Sequence, residues 1–207
     1  MIESVLANLV AELVSQRPKT VIAICGAADL GKSHLARNLM TCLNDMSLTC
    51  GYLALDSFLM NRDCRIKNKI SGYDITAYNT EKAHNALTNF SNSEEITYYD
   101  YDHKMGRVSS KPQKIAICDA LLLDGVQSMH QTFARHIDLS IFIYTDDEQL
   151  KAIRAEANMT KRGQSSELSK LLAESEFQAY KTHVEPFKIN ASYKLYLTNK
   201  WHYELIQ

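Results

Sequence analysis

The chain has little that would cross-link, divide or anchor it. Its 207 residues include only three prolines, seven glycines and one tryptophan. That composition leaves no Pro- or Gly-rich linker, and no internal repeat or low-complexity tract is visible. Five cysteines are present, Cys25, Cys42, Cys50, Cys64 and Cys118. None forms a C-x-x-C pair, which argues against a structural zinc site and for reduced thiols. Charge of either sign is nowhere concentrated. There are 23 Lys and Arg against 24 Asp and Glu, a formal net charge of −1. Binding to nucleic acid or to a membrane surface is therefore not expected. No apolar run approaches the roughly 18 residues of a membrane span. Met-Ile-Glu-Ser at the start lacks the basic stretch of a signal peptide, so a cytoplasmic location is expected.

What is present is apolar content and one dense motif. At 45% hydrophobic residues the chain can fill a core, and residues 1–207 read as one domain. The motif lies within Thr20 to Leu39. Val21 to Cys25 is a short, β-branched apolar run, as in a buried parallel strand. Gly26, Ala27, Ala28, Asp29, Leu30, Gly31, Lys32 and Ser33 then match G-x-x-x-x-G-K-[ST] in full. From His34 onward, Leu35, Ala36, Leu39 and Met40 fall at helical spacing. Strand, glycine-bounded loop and helix come in the order a phosphate-binding loop requires. The glycines let successive backbone N–H groups face one concavity, and the helix adds its positive end. Lys32 brings a mobile cation, and the Ser33 hydroxyl is a hard oxygen suited to Mg²⁺. Asp29 is out of keeping, because a carboxylate repels a triphosphate unless it turns outward.

Around this motif, strands and helices alternate. Ile2 to Ser15 reads as an amphipathic helix. Cys50 to Leu55 is a second strand ending at Asp56-Ser57-Phe58. Asn61 to Thr80 is polar and irregular, and Glu81 to Phe90 is helical. Glu95 to Tyr99 and Arg107 to Ser110 suggest a hairpin. Ile115 to Leu123 is expected as the third core strand, ending in Asp124-Gly125, and Ile137 to Tyr144 as the fourth. Helices are expected over Asp146 to Asn158 and Leu168 to His183, with a polar, basic loop over Thr160 to Ser166. Tyr193 to Leu197 is the fifth strand. The pattern predicts an α/β fold with a doubly wound, five-stranded parallel sheet. Residues 61–112 are expected to form a substrate-covering insertion. Asp56 and Asp124 end strands on the edge where such sheets bind ligands.

These motifs resemble the uridine kinase group of P-loop small-molecule kinases, which includes pantothenate kinase and phosphoribulokinase relatives. The resemblance covers about residues 20 to 198. It rests on Gly26–Ser33, on Leu55-Asp56-Ser57-Phe58, on Tyr101-Asp102-His103 with Gly106-Arg107, and on Leu123-Asp124-Gly125. The resemblance makes residues 154–170 a helical lid, which matches the family in part. Arg154 and Arg162-Gly163 fit, whereas Ala157-Asn158 stands where the family has Arg-Asp and Gln164 where another arginine is common.

The resemblance implies ATP and Mg²⁺ as cofactors and a small-molecule acceptor, with a nucleoside first and a pantothenate- or glycerate-like acid second. The P-loop residues from Gly26 to Ser33, with His34 and Asn199, would contact ATP. Ser33 and Asp124 would serve the metal. Asp56 would take the acceptor's proton, and Lys32, Arg154 and Arg162 would hold the transferring group. Phe58, Tyr73, Tyr101 and His103 would line the acceptor site. Each also has a plainer reading: Asp56 as a helix cap, Asp124 as a turn residue, the arginines as solvated charges, His103 as a loop residue. Asn199-Lys200 resembles the start of a guanine-reading Asn-Lys-x-Asp, but His202 replaces the aspartate, so a GTPase is rejected. A non-catalytic ATP-binding protein remains an alternative, and a homo-oligomer is compatible with such a domain.

Overall fold

The computed structural model describes residues 2–206. In chain order the elements are α1 (Ile2–Gln16), β1 (Thr20–Gly26), α2 (Lys32–Asp45), β2 (Cys50–Ala54), α3 (Arg62–Lys67), α4 (Thr80–Ser91), β3 (Ile96–Asp102) and β4 (Arg107–Ile115). There follow β5 (Ala120–Asp124), β6 (Leu139–Tyr144), α5 (Asp147–Arg162), α6 (Ser166–His183), β7 (Tyr193–Asn199) and β8 (His202–Ile206).

The main sheet has the order β2-β5-β1-β6-β7-β8. Its first five strands are parallel, and β8 runs antiparallel to β7. The five expected parallel strands are present, and a sixth, antiparallel strand closes one edge. It was not expected because His202–Ile206 is only five residues long; its alternation of polar and apolar residues places Tyr203 and Leu205 inward. The hairpin β3–β4 forms a separate two-stranded sheet.

Side-chain alternation along the strands divides the core between the two faces. Ile22, Ile24 and Leu122 face one side with Leu6, Leu35, Leu39 and Phe177. Val21, Leu121 and Leu123 face the other with Leu53, Leu87, Phe90 and Phe133. Each such side chain, once buried, contributes about 1.5–3 kcal/mol of transfer free energy. Helices on both faces explain why β1 and β5 are apolar without interruption.

Three boundaries differ from the sequence reading. The third core strand starts at Ala120. Ile115 instead ends β4, where it pairs with Ile96 and is buried under the hairpin. Asp119 breaks the run, because its carboxylate accepts from the Thr49 amide and hydroxyl at 2.9 and 2.6 Å. Helix α5 continues to Arg162, so most of the expected Thr160–Ser166 loop is helical, and Gly163 ends the helix with φ of 67°. The polar stretch after Asn61 contains α3.

Strand register aligns the functional ends. Asp124 lies opposite Ile24 on β1 and opposite Ala54 on β2. Gly26, Asp124 and the segment starting at Leu55 therefore open onto one edge of the sheet. Gly26 makes the exit from β1 possible. Its φ is +135°, and a Cβ there would overlap the Ile143 carbonyl of β6. Gly26→Ala should cost about 2 kcal/mol or more, lowering Tm by roughly 4–8 °C in a domain of this size. An unchanged thermal melt would show that the loop tolerates a side chain there.

Candidate active site

The phosphate loop is held from beneath. Ala27 and Leu30 are fully buried anchors. The Tyr203 hydroxyl on β8 donates toward the carbonyls of Leu30 and Gly31, at 3.1 and 3.2 Å. Gly31 has φ of 85° and precedes α2 without a side-chain cap. The first N–H groups of α2 therefore have no side-chain acceptor, as at an anion-binding helix start. Lys32 is buried, and its Nζ donates to the Ala27 carbonyl at 2.9 Å, folded back across its own loop. His34 stacks on Trp201, with ring centroids 5.4 Å apart.

Beside the loop, the Ser33 hydroxyl donates to Asp124 Oδ2 at 2.5 Å. The Tyr52 hydroxyl donates to the same oxygen at 2.8 Å. A serine hydroxyl and a carboxylate are hard oxygens, the chemistry Mg²⁺ prefers. Among the described residues there is no group of three or more His, Cys, Asp or Glu side chains placed to hold an ion. The donor set fits an ion completed by substrate phosphates and water, which is the usual way Mg²⁺ is held.

Asp56 follows β2 in a short 3₁₀ turn (Leu55–Phe58). Its side chain keeps 30% of its exposure. His103 Nε2 stands 3.3 Å from Oδ2, and the Tyr78 hydroxyl donates to Oδ1 at 3.4 Å. Removal from water raises the pKa of this carboxyl, and the charge of Asp124 adds to the effect. His103, Lys32 and the Tyr78 hydrogen bond pull the other way without cancelling it. A carboxylate tuned upward beside a phosphate loop is suited to exchanging a proton.

Asp29 is turned away from the concavity. With φ of 63°, it directs its carboxylate to α5, where Arg154 and Lys161 both donate to it, Lys161 at 2.5 Å. Arg154 is only 2% exposed and also pairs with Glu176 of α6 at 2.6 Å. Asn158 donates to Glu176 at 3.3 Å, and Arg162 donates in turn to Asn158. Burial pushes the Asp29 pKa up, but Arg154, Lys161 and Arg162 together outweigh it, and the net shift is downward.

Lys32, Ser33, Asp124, Asp56 and His103 thus gather on one edge of the sheet. Phe58 and Tyr101 are buried in the second core cluster, and Tyr73 in the first. Asn199 is exposed at the end of β7 and makes no side-chain hydrogen bond among the described residues. Sequence reasoning missed Tyr52, Tyr78, Glu176, Trp201 and Tyr203. The tyrosines and the glutamate lie in elements far apart in the chain, with no local motif to mark them. Trp201, the single tryptophan, offered the one compositional hint.

A family profile, Phosphoribulokinase / Uridine kinase family, matches residues 21–196. No curated protein matches the chain by sequence. Among solved structures, a proposed fructose transport system kinase from Silicibacter sp. TM1040 superposes with a TM-score of 0.77 at 16% identity, covering 89% of this chain and 96% of that one. D-glycerate 3-kinase from Cryptococcus neoformans gives 0.74 at 11% identity over 100% and 99%. Phosphoribulokinase from Rhodobacter spheroides gives 0.65 at 12% identity over 88% and 72%. These likenesses carry the fold, and the profile carries the family. With its phosphate loop, paired strand-end aspartates and doubly wound sheet, the chain belongs to the phosphoribulokinase/uridine kinase family of P-loop small-molecule kinases.

Proposed function

We propose that the protein transfers the γ-phosphoryl group of ATP to a hydroxyl of a compact small molecule. The observation that carries this reading is the convergence of Lys32, Ser33, Asp124 and Asp56 at the carboxyl ends of β1, β2 and β5. Lys32 would exchange its internal bond to Ala27 for the β- and γ-phosphates. The amides of Gly26–Ser33 and the start of α2 would cradle the same phosphates. Ser33 and Asp124 would hold Mg²⁺, which when bound neutralises phosphate charge. Asp56 would orient the acceptor hydroxyl and receive its proton, with His103 on the opposite carboxylate oxygen. Trp201 and His34 stand beside the loop, where they would border the nucleotide together with the Asn199 segment.

The lid arginines divide in this reading. Arg154 is committed to Asp29 and Glu176 and acts chiefly by placing α5 against the loop. Arg162 is more exposed and is the cation able to turn toward a transferring group, while Lys161, though exposed, is paired with Asp29. The acceptor shifts away from a nucleoside. The rings of Phe58, Tyr73 and Tyr101, on which a base would stack, are buried among core residues, and what they leave toward the site is polar, as with the Tyr101 hydroxyl beside Arg65. A non-catalytic nucleotide binder is disfavoured, because it would have no use for a carboxylate held beside the phosphate loop.

Lys32→Ala should weaken MgATP binding in calorimetry. Unchanged affinity together with unchanged turnover would remove the loop from the reaction. Asp56→Asn should lower kcat by ~10²–10⁴-fold with MgATP affinity retained. Since the folded-state pKa of Asp56 lies above its unfolded value, the folded state holds this proton more tightly. Stability attached to this group therefore falls as pH rises through that interval, and at neutral pH the charge opposes folding. Asp56→Asn should accordingly leave Tm unchanged or raised at pH 7, while the acid limb of the wild-type rate profile lies above the ordinary aspartate range. A variant with near-normal kcat and a lower Tm would instead mark Asp56 as a structural cap.

A further inference from the structure

The polar groups around Asp56 close into a ring. From Asp56 the contacts run to His103 at 3.3 Å and on to Tyr101, whose ring centroid lies 5.2 Å from that of His103. The Tyr101 hydroxyl accepts from Arg65 Nη2 at 3.2 Å. Arg65 packs beside Gly72, where an added Cβ would stand 2.9 Å from its Nη1. The Gly72 carbonyl accepts from the Tyr78 hydroxyl at 3.0 Å, and Tyr78 returns to Asp56. A carboxylate and a guanidinium thus stand at separate points of one ring.

Arg65 is partly buried and has no carboxylate within ion-pair distance among the described residues. Its Nε donates to the Met60 carbonyl at 3.1 Å and its Nη2 to Tyr101, both neutral acceptors. Nη1 makes no hydrogen bond among the described residues. Arg62, also partly buried, donates to the His103 carbonyl and likewise has no carboxylate partner among the described residues, whereas the buried Arg154 on α5 has two. A cation partly withdrawn from water and without a counter-charge leaves room for an anion to supply it. The surrounding segment from Asn61 to Tyr73 adds to the imbalance, with Arg62, Arg65, Lys67 and Lys69 against the single acid Asp63. A guanidinium fork matches a carboxylate or phosphate in two parallel hydrogen bonds. The Tyr101 hydroxyl, accepting from Arg65, keeps its own proton to donate to the same anion.

We infer that the phosphate acceptor is a small hydroxy anion whose charged end is bound by Arg65 and Tyr101 while its hydroxyl meets Asp56. This rests on the phosphoryl-transfer reading above and names the acceptor class for that site. Arg65 is then the residue that selects anionic over neutral acceptors. The shared chemistry is a compact anion bearing an alcohol, and its charge is carried by a carboxylate or by a phosphate monoester.

The test offers wild-type protein and MgATP a panel with three arms: D-glycerate and pantothenate for carboxylates, glycerol 3-phosphate and ribulose 5-phosphate for phosphates, glycerol and uridine as neutral compounds. ATP consumption is expected with one anionic arm, and which arm responds tells the headgroup. Arg65→Gln should raise KM for that acceptor ~10–100-fold, with kcat changed less and MgATP affinity unaltered. Arg65→Lys should recover part of the loss. In parallel, thermal shifts in MgADP are read for both proteins. An anion should raise Tm in wild type and fail to do so in Arg65→Gln. Turnover of uridine or glycerol with inert anions would overturn the inference and leave phosphoryl transfer standing. If no compound is turned over, phosphoryl transfer to these acceptors fails. The thermal shifts still decide the anion site: Arg65-dependent stabilisation by an anion upholds it, and stabilisation by no anion sinks it.

Discussion

An aspartate inside an anion-binding loop is electrostatically misplaced unless it has cations of its own, and the way Asp29 is satisfied ties three elements together. Its carboxylate takes Arg154 and Lys161 from α5, and Arg154 reaches on to Glu176 of α6. Breaking a buried pair by removing one partner generally costs about 3–5 kcal/mol, because the other charge is stranded. The loop, the long helix α5 and its neighbour α6 are therefore set as one unit. With its pKa lowered in the fold, Asp29 contributes stability that is present above the ordinary aspartate range. That contribution is lost only as pH falls through the lowered folded value.

Asp56 is the counterpart. Both aspartates sit near the phosphate loop, yet their environments push them in opposite directions. Asp29 is saturated with cations and is fixed as an anion. Asp56 is desolvated, faces Asp124 across the site, and has one imidazole and one hydroxyl as neighbours. Carboxylates whose environments push them apart in this way are suited to different roles. The division removes the conflict posed by an acid in the loop: Asp29 keeps its charge directed at α5, away from the phosphates.

The parts legible in the sequence are those whose cause is local. The phosphate loop announces itself through Gly26, Gly31, Lys32 and Ser33, and the strand-end positions of Asp56 and Asp124 follow from apolar runs that stop at an acid. Gly163 carried a readable signal for the end of α5, a left-handed glycine cap, which places the helix boundary at Arg162. The remainder depends on tertiary contact. No spacing in the sequence puts Tyr52 on Asp124, Tyr203 under Gly31 or Glu176 on Arg154, since each pair is joined only when the sheet is assembled. Arg154 shows the limit most plainly. Its position in the chain suggests a mobile cation, and its burial between two carboxylates gives it a fixed seat.

The brace from β8 has a bearing on how the nucleotide site comes into being. The loop is encoded in residues 26–33, but the hydroxyl that supports two of its carbonyls belongs to Tyr203, on a strand that adds to the sheet only through β7. During synthesis the first strand and its helix emerge long before that support exists. The contact joins residues 172 apart in sequence, although β8 itself reaches the sheet through a tight hairpin with β7. The strand that closes one edge of the sheet is thus also the strand that steadies the phosphate loop, so the two ends of the chain share one nucleotide site.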